Sequence, residues 1–158
     1  MKPMGIFGGT FDPIHYGHLR SAFEMLQALE FDEVRFIPCG DPPHRGVTFA
    51  DAKRRMRLVE LAVESQDGFR ADDRELQRSG PSWTIDTLIE LREEFPDRSL
   101  GLIVGMDAFL GLPSWHRTHL PSRIGWIVFG QPIVGSLLVL YFAVAIYLVA
   151  ALALGDAP

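Results

Sequence analysis

Apolar positions fall in short blocks separated by glycine- and proline-marked breaks. Met4 to Gly8 is an apolar run closed by glycines, the pattern of a buried strand. From Gly17 to Leu29, the residues Leu19, Ala22, Phe23, Leu26 and Leu29 recur at helical spacing and predict a helix with one core-facing stripe. Glu33 to Pro38 reads as a second strand, ended by Pro38 and the loop Cys39-Gly40-Asp41-Pro42-Pro43. Strand, helix and strand in about 35 residues make a βαβ unit, which implies parallel strands and a right-handed crossover. Ala50 to Ser65 is a second helix, with Met56, Leu58, Val59, Ala62 and Val63 on or near one face. Phe69 to Ala71 is a short strand, Thr84 to Phe95 a third helix stopped at Pro96, and Leu100 to Val104 an apolar strand followed by Gly105. The alternation predicts an α/β fold with a doubly wound parallel sheet.

The pattern changes near the other end. No charged side chain stands between Arg123 and Asp156, and Leu137 to Leu154 are 18 uninterrupted apolar or aromatic residues. Counted from Ile133, the stretch would reach roughly 33 Å as a helix, enough to cross a bilayer core. Residues 133–154 are therefore expected to form a transmembrane helix, with Arg117 and Arg123 before it keeping the body, expected to be cytoplasmic, on the inner side of the membrane. A buried core helix is the alternative. The division expected is a domain over residues 1–117, a linker over 118–132 and the apolar helix. No secretory signal peptide is read at the start of the chain.

Of 158 residues, 20 are Asp or Glu and 15 are Lys or Arg, for a net charge of −5. That balance argues against a nucleic-acid partner bound through bulk electrostatics, since phosphate backbones select basic surfaces. It leaves room for small phosphorylated ligands, which need only local donors. The single cysteine, Cys39, excludes an intramolecular disulfide and a Cys-rich zinc site.

In doubly wound sheets, ligands bind outside the carboxyl ends of the strands. The loop after the first strand is Gly8-Gly9-Thr10-Phe11-Asp12-Pro13-Ile14-His15-Tyr16-Gly17-His18. Its glycines let backbone N–H groups approach a phosphate. His15 and His18 flank the start of the next helix, where free N–H groups and the helix dipole favour an anion. Imidazoles there can donate to a phosphate whose charge grows in a transition state. Two plainer readings stay open: a metal pair, though no third ligand stands at a fixed spacing, and ordinary capping of a polar helix start.

At these residues the chain resembles the nucleotidyltransferases that carry a (T/H)xGH motif, and more narrowly the bacterial nicotinate-nucleotide adenylyltransferases. Later segments agree in order: Ile37-Pro38 through Pro42-Pro43-His44-Arg45, then Ser82-Trp83-Thr84-Ile85-Asp86-Thr87-Leu88, then Gly105-Met106-Asp107, then Leu112-Pro113-Ser114-Trp115-His116. The resemblance covers about residues 4 to 117. It implies a Rossmann-like nucleotidyltransferase fold and adenylyl transfer from ATP to nicotinate mononucleotide, with Mg²⁺ accompanying ATP, giving deamido-NAD and pyrophosphate. Carried over residue by residue, it implies His15 and His18 as catalytic groups, and Gly8, Gly9, Thr10, Phe11, His44, Arg45, Gly105 and Asp107 around ATP and its phosphates. Thr84 would contact the nicotinate group and Trp115 would stack on its ring. A related transferase acting on pantetheine phosphate is the neighbouring alternative; the Pro-Pro-His-Arg, Ser-Trp-Thr and Pro-Ser-Trp-His segments speak against it.

The family's late Ser/Thr-rich motif ending in arginine has no counterpart here. The expectation is thus a sheet incomplete at its C-terminal side and a truncated or fused enzyme. A membrane-tethered, catalytically impaired nucleotide-binding remnant is the alternative of a different class.

Overall fold

The structure is a computed structural model that describes residues 2–42, 48–105, 108 and 110, together with the backbone of 124–129. Its elements in chain order are β1 (Met4–Gly9), α1 (Tyr16–Ala28), β2 (Glu33–Pro38), α2 (Ala52–Val63), β3 (Phe69–Ala71), α3 (Arg74–Gln77), α4 (Thr84–Glu94), β4 (Leu100–Gly105) and β5 (Ile124–Phe129). All strand pairs are parallel and the sheet order is β3-β2-β1-β4-β5. The doubly wound sheet expected from the alternation is present.

Each strand of the sheet's middle is apolar on both faces because helices cover both. On one face Phe7, Val34, Phe36 and Ile103 pack with Ala22, Met25 and Leu26 of α1 and with Val59 and Val63 of α2. On the other, Met4, Ile6, Ile37, Leu100, Leu102 and Val104 pack with Leu88 and Leu91 of α4. Continuous burial on both sides is what turns these strands into unbroken apolar runs.

Six residues of the segment expected to be a linker instead form β5. Its backbone pairs with β4 from Leu100↔Ile124 to Gly105↔Phe129. The reason lies in its composition: Ile-Gly-Trp-Ile-Val-Phe is the same kind of run as the Leu-Gly-Leu-Ile-Val-Gly of β4. The sheet therefore continues past the point where it was expected to stop. The expected membrane-spanning helix over 133–154 lies outside the described residues. Among the described residues, no helix is long and apolar enough to cross a membrane.

Two features of the sheet position the site. The chain runs outward from β1 to β2 and β3, then returns through α3 and α4 to β4 on the other side of β1, so the direction of winding reverses between β1 and β4. Ligands of open α/β sheets bind at that reversal. The strands also separate there. β1 pairs with β2 over its full length, to Gly9↔Pro38, but with β4 only from Met4↔Leu100 to Ile6↔Leu102. Beyond Ile6 the two central strands part, which opens a crevice at their carboxyl ends.

The opposite edge of the sheet is held by charge. The buried carboxylate of Glu33, at the start of β2, accepts from Arg35 at 3.1 Å and Arg98 at 3.2 Å and pairs with Arg70 at 2.6 Å. Arg98 also donates to the Lys2 carbonyl, tying the entry of β1 to that of β4.

Candidate functional site

The β1–α1 loop leaves the sheet at the crevice. Gly8 is exposed, and a side chain added there would meet nothing within 4 Å, so its backbone borders open space. Gly9 still belongs to the ladder, its carbonyl accepting from the Cys39 N–H at 2.8 Å. Phe11 turns the chain with a positive φ of 47° and buries its ring edge-on to Phe7, centroids 5.6 Å apart. The ring is core; only the Phe11 backbone remains to meet a ligand.

His15 is the N-cap of α1, with extended backbone, and its carbonyl accepts from the His18 N–H at 2.9 Å. Its own N–H donates to Nδ1 of His18 at 3.2 Å. The two rings stack with centroids 3.7 Å apart. His18 is also wedged edge-on against Phe11 and Phe7, at 5.1 and 5.9 Å. Burial against those rings, and secondarily the neighbouring His15, lower the His18 pKa to about 4. His18 is therefore neutral near pH 7. Because Nδ1 accepts from the backbone, the proton of the neutral ring sits on Nε2, leaving one directed N–H donor. The capping reading and the chemical reading of this histidine thus hold together: the cap fixes the tautomer. Gly17 lies between them, where a Cβ would stand 3.1 Å from His15 ring atoms, so a side chain there would press on the stack. No acidic residue occupies the first turn of α1, which keeps the helix start favourable to an anion.

The other expected site residues distribute as follows. Thr84 opens α4, half-buried, directly after Ser82 and Trp83. Gly105 ends β4 at the carboxyl edge of the sheet. His44, Arg45, Asp107 and Trp115 lie outside the described residues. Pro42, which leads into His44 and Arg45, is described, as are Thr48 and Phe49 on the far side of that loop. Among the described residues, no group of three or more His, Cys, Asp or Glu side chains is placed to hold a metal ion. Burial, followed by the nearby Glu75 carboxylate, pushes the Cys39 thiol up to about 11, which disfavours its thiolate form.

Three side chains absent from the expected set touch the same loops. Asp12 accepts from the Phe49 N–H at 2.6 Å and the Ala50 N–H at 3.0 Å. Arg55 of α2 donates to carbonyls of both the β1–α1 and β2–α2 loops, and Ser82 accepts from the Gly40 and Asp41 N–H groups. None has a spacing signature, because each works through backbone atoms distant in the chain.

Comparison with known proteins agrees with this architecture. The family model described as cytidylyltransferase-like matches residues 6–138. The chain belongs to the cytidylyltransferase-like family. Relatives named nicotinate-nucleotide adenylyltransferase include one from Aeromonas hydrophila, 57% identical over 133 residues, covering 78% of this chain and 62% of the relative. Another, from Methylococcus capsulatus, is 56% identical over 126 residues, covering 79% of this chain and 60% of the relative. The chain thus spans less than two thirds of the length of these relatives. Among solved structures, the Plasmodium falciparum nicotinic acid mononucleotide adenylyltransferase complexed with NaAD matches with a TM-score of 0.74 at 19% identity, over 86% of this chain and 68% of that one. At that identity the match speaks for the fold alone. The family match extends past residue 117, where the resemblance of individual motifs ends, and takes in β5.

Proposed function

We propose that this protein is an enzyme that transfers the adenylyl group of ATP to nicotinate mononucleotide, releasing pyrophosphate and forming deamido-NAD for NAD biosynthesis. The observation that carries the reading is the His15–His18 pair at the start of α1. His18 is neutral, its Nδ1 occupied by the His15 N–H, and it stands beside the crevice where β1 and β4 part. The names of the relatives supply the substrate class.

In this reaction the phosphate oxygen of the mononucleotide attacks the α-phosphorus of ATP in line and pyrophosphate leaves. No covalent enzyme intermediate is needed, so the protein's work is positioning and charge stabilisation. The Nε2–H of His18 would donate to an α-phosphoryl oxygen as charge builds there, and His15 would hold the adjoining phosphate. The Gly8–Phe11 backbone would line the phosphates and Thr84 the nicotinate group. His44, Arg45, Gly105, Asp107 and Trp115 keep the roles that the motif resemblance implies. The described site offers no carboxylate set for a metal, and Asp12 spends both oxygens on backbone N–H groups. Mg²⁺ would accompany ATP and neutralise the charge of its phosphates.

The test is pyrophosphate release with ATP, Mg²⁺ and nicotinate mononucleotide, alongside pantetheine phosphate as competing acceptor. Turnover with the nicotinate nucleotide alone supports the reading; turnover with pantetheine phosphate alone replaces it.

A further inference from the structure

Among the described residues Arg55 is the largest fully buried side chain, 1% exposed, and none of the hydrogen bonds it makes to them goes to a carboxylate. Its Nε donates to the Ala50 carbonyl at 3.2 Å and its Nη1 to the Thr10 carbonyl at 2.6 Å. Its Nη2 donates to the Cys39 carbonyl at 2.7 Å and the Gly40 carbonyl at 3.4 Å. Among the described residues it forms no ion pair. Burying a cation is costly unless its donors are used, and here carbonyls of separate loops use them.

In a planar trans peptide the N–H points opposite to the C=O. With the Cys39 and Gly40 carbonyls turned to Arg55, the N–H groups of those same peptides turn the other way. They meet Ser82 Oγ, at 3.0 Å from Gly40 N and 3.1 Å from Asp41 N. The Ser82 N–H donates back to the Asp41 carbonyl at 2.9 Å. The strip Cys39–Asp41 is thus gripped along one edge by α2 and along the other by the turn that starts α4. Gly40 fits this grip because a Cβ there would collide with the Glu75 carbonyl. Arg55 reaches on to Thr10, whose peptide carries the Phe11 N–H away from the guanidinium. A continuous path therefore runs from Phe11 through Arg55, the Cys39–Asp41 strip and Ser82 to Thr84.

We propose that Arg55 and Ser82 are positioning residues that lock the phosphate loop, residues 8–11, to the start of α4, so that the two substrates are held at one relative distance. The proposal rests on the adenylyl-transfer reading for its consequence in turnover, but not for the mechanical coupling itself. Its test therefore has two arms. In the first, amide hydrogen exchange is read on the full chain without substrate. Ser82→Ala is expected to speed exchange of the Cys39 amide, which donates to the Gly9 carbonyl of the phosphate loop, by about tenfold or more, although Ser82 does not touch that N–H, because local opening energies follow the bonds that oppose opening. In the second, Ser82→Ala is expected to lower kcat by roughly 10- to 100-fold, the scale set by small misplacement of reacting groups, and to move the KM for ATP much less. Ser82→Thr, which restores the hydroxyl, should recover both readouts. Arg55→Lys keeps the cation while losing the forked contacts, and should reproduce both changes if Ser82→Ala does not fold. Arg57→Ala, which removes only an exposed pairing with Glu60, serves as control. Unchanged exchange of the Cys39 amide in a folded Ser82→Ala protein overturns the coupling. Altered exchange with unchanged kcat overturns its role in turnover. A wild-type chain that releases no pyrophosphate sinks the adenylyl-transfer reading instead, and the exchange arm then decides the coupling alone.

Discussion

His18 shows how much of a side chain's chemistry is set by its immediate neighbours. The ring is squeezed between Phe7, Phe11 and His15, and its Nδ1 takes a backbone hydrogen bond. Both effects favour the neutral form, and together they present Nε2–H as a donor. Replacing His18 by Ala should lower kcat by about 10²–10³-fold, the usual cost of one transition-state donor, and leave the circular dichroism spectrum unchanged. The pH dependence has a definite sign. The folded-state pKa, about 4, lies below the ordinary 6.5, so between those values the unfolded chain binds more protons than the folded one. The neutral ring's contribution to stability is full above 6.5 and is lost as the pH falls through about 4. An NMR titration of the imidazole should accordingly show His18 protonating near 4, and a titration near 6.5 would contradict the packing described here. The spacing of His15 and His18 was readable in the sequence. The tautomer was not, since it depends on where the His15 N–H points. Arg55 was not readable either, because a guanidinium bonded to carbonyls of separate loops leaves no periodic or local mark; Ser82 stood in a recognisable segment, but its bonds to the Gly40 and Asp41 N–H groups did not show there.

The elements that hold these residues were mostly legible from apolar periodicity, and the exceptions have physical reasons. On α2 the buried positions are Arg55, Met56, Val59 and Val63, whereas Leu58 is 42% exposed. A charged residue occupies a core position there, which hydrophobic patterning cannot anticipate. The helix α3 is four polar-rich residues, Arg74–Gln77, too short for any period to develop. β5 was hidden because its apolar run lies close to the longer one that begins at Ile133. Two predictions belong to this scale. Asp51 caps α2 by accepting the Arg54 N–H at 2.9 Å, so Asp51→Ala should cost about 0.5–2 kcal/mol in chemical denaturation. Gly40→Ala would drive a methyl group into the Glu75 carbonyl and should destabilise by about 1–3 kcal/mol, with turnover falling as well because the strip gripped by Arg55 and Ser82 must move. Wild-type stability and turnover for Gly40→Ala would contradict that packing.

Across the whole molecule, an acidic chain with net charge −5 is read as handling anionic substrates, and the geometry shows how these fit together. The donors that would meet an anion are local: the start of α1, the Nε2–H of neutral His18 and the backbone N–H groups of the β1–α1 loop. The charged knot of Glu33, Arg35, Arg70 and Arg98 sits at the opposite edge of the sheet, where it fastens strand entries without facing the crevice. The doubly wound sheet was predictable from the order of strands and helices. The parting of β1 and β4 beyond Ile6 was not, because register between distant strands has no trace in local spacing. The account stands or falls on whether that crevice carries out adenylyl transfer. The most direct measurement is pyrophosphate release by the full chain with ATP, Mg²⁺ and nicotinate mononucleotide, with circular dichroism on the same sample. The account predicts release in step with formation of deamido-NAD, lowered by about 10²–10³-fold in His18→Ala. A folded protein that binds ATP and forms no product would contradict it.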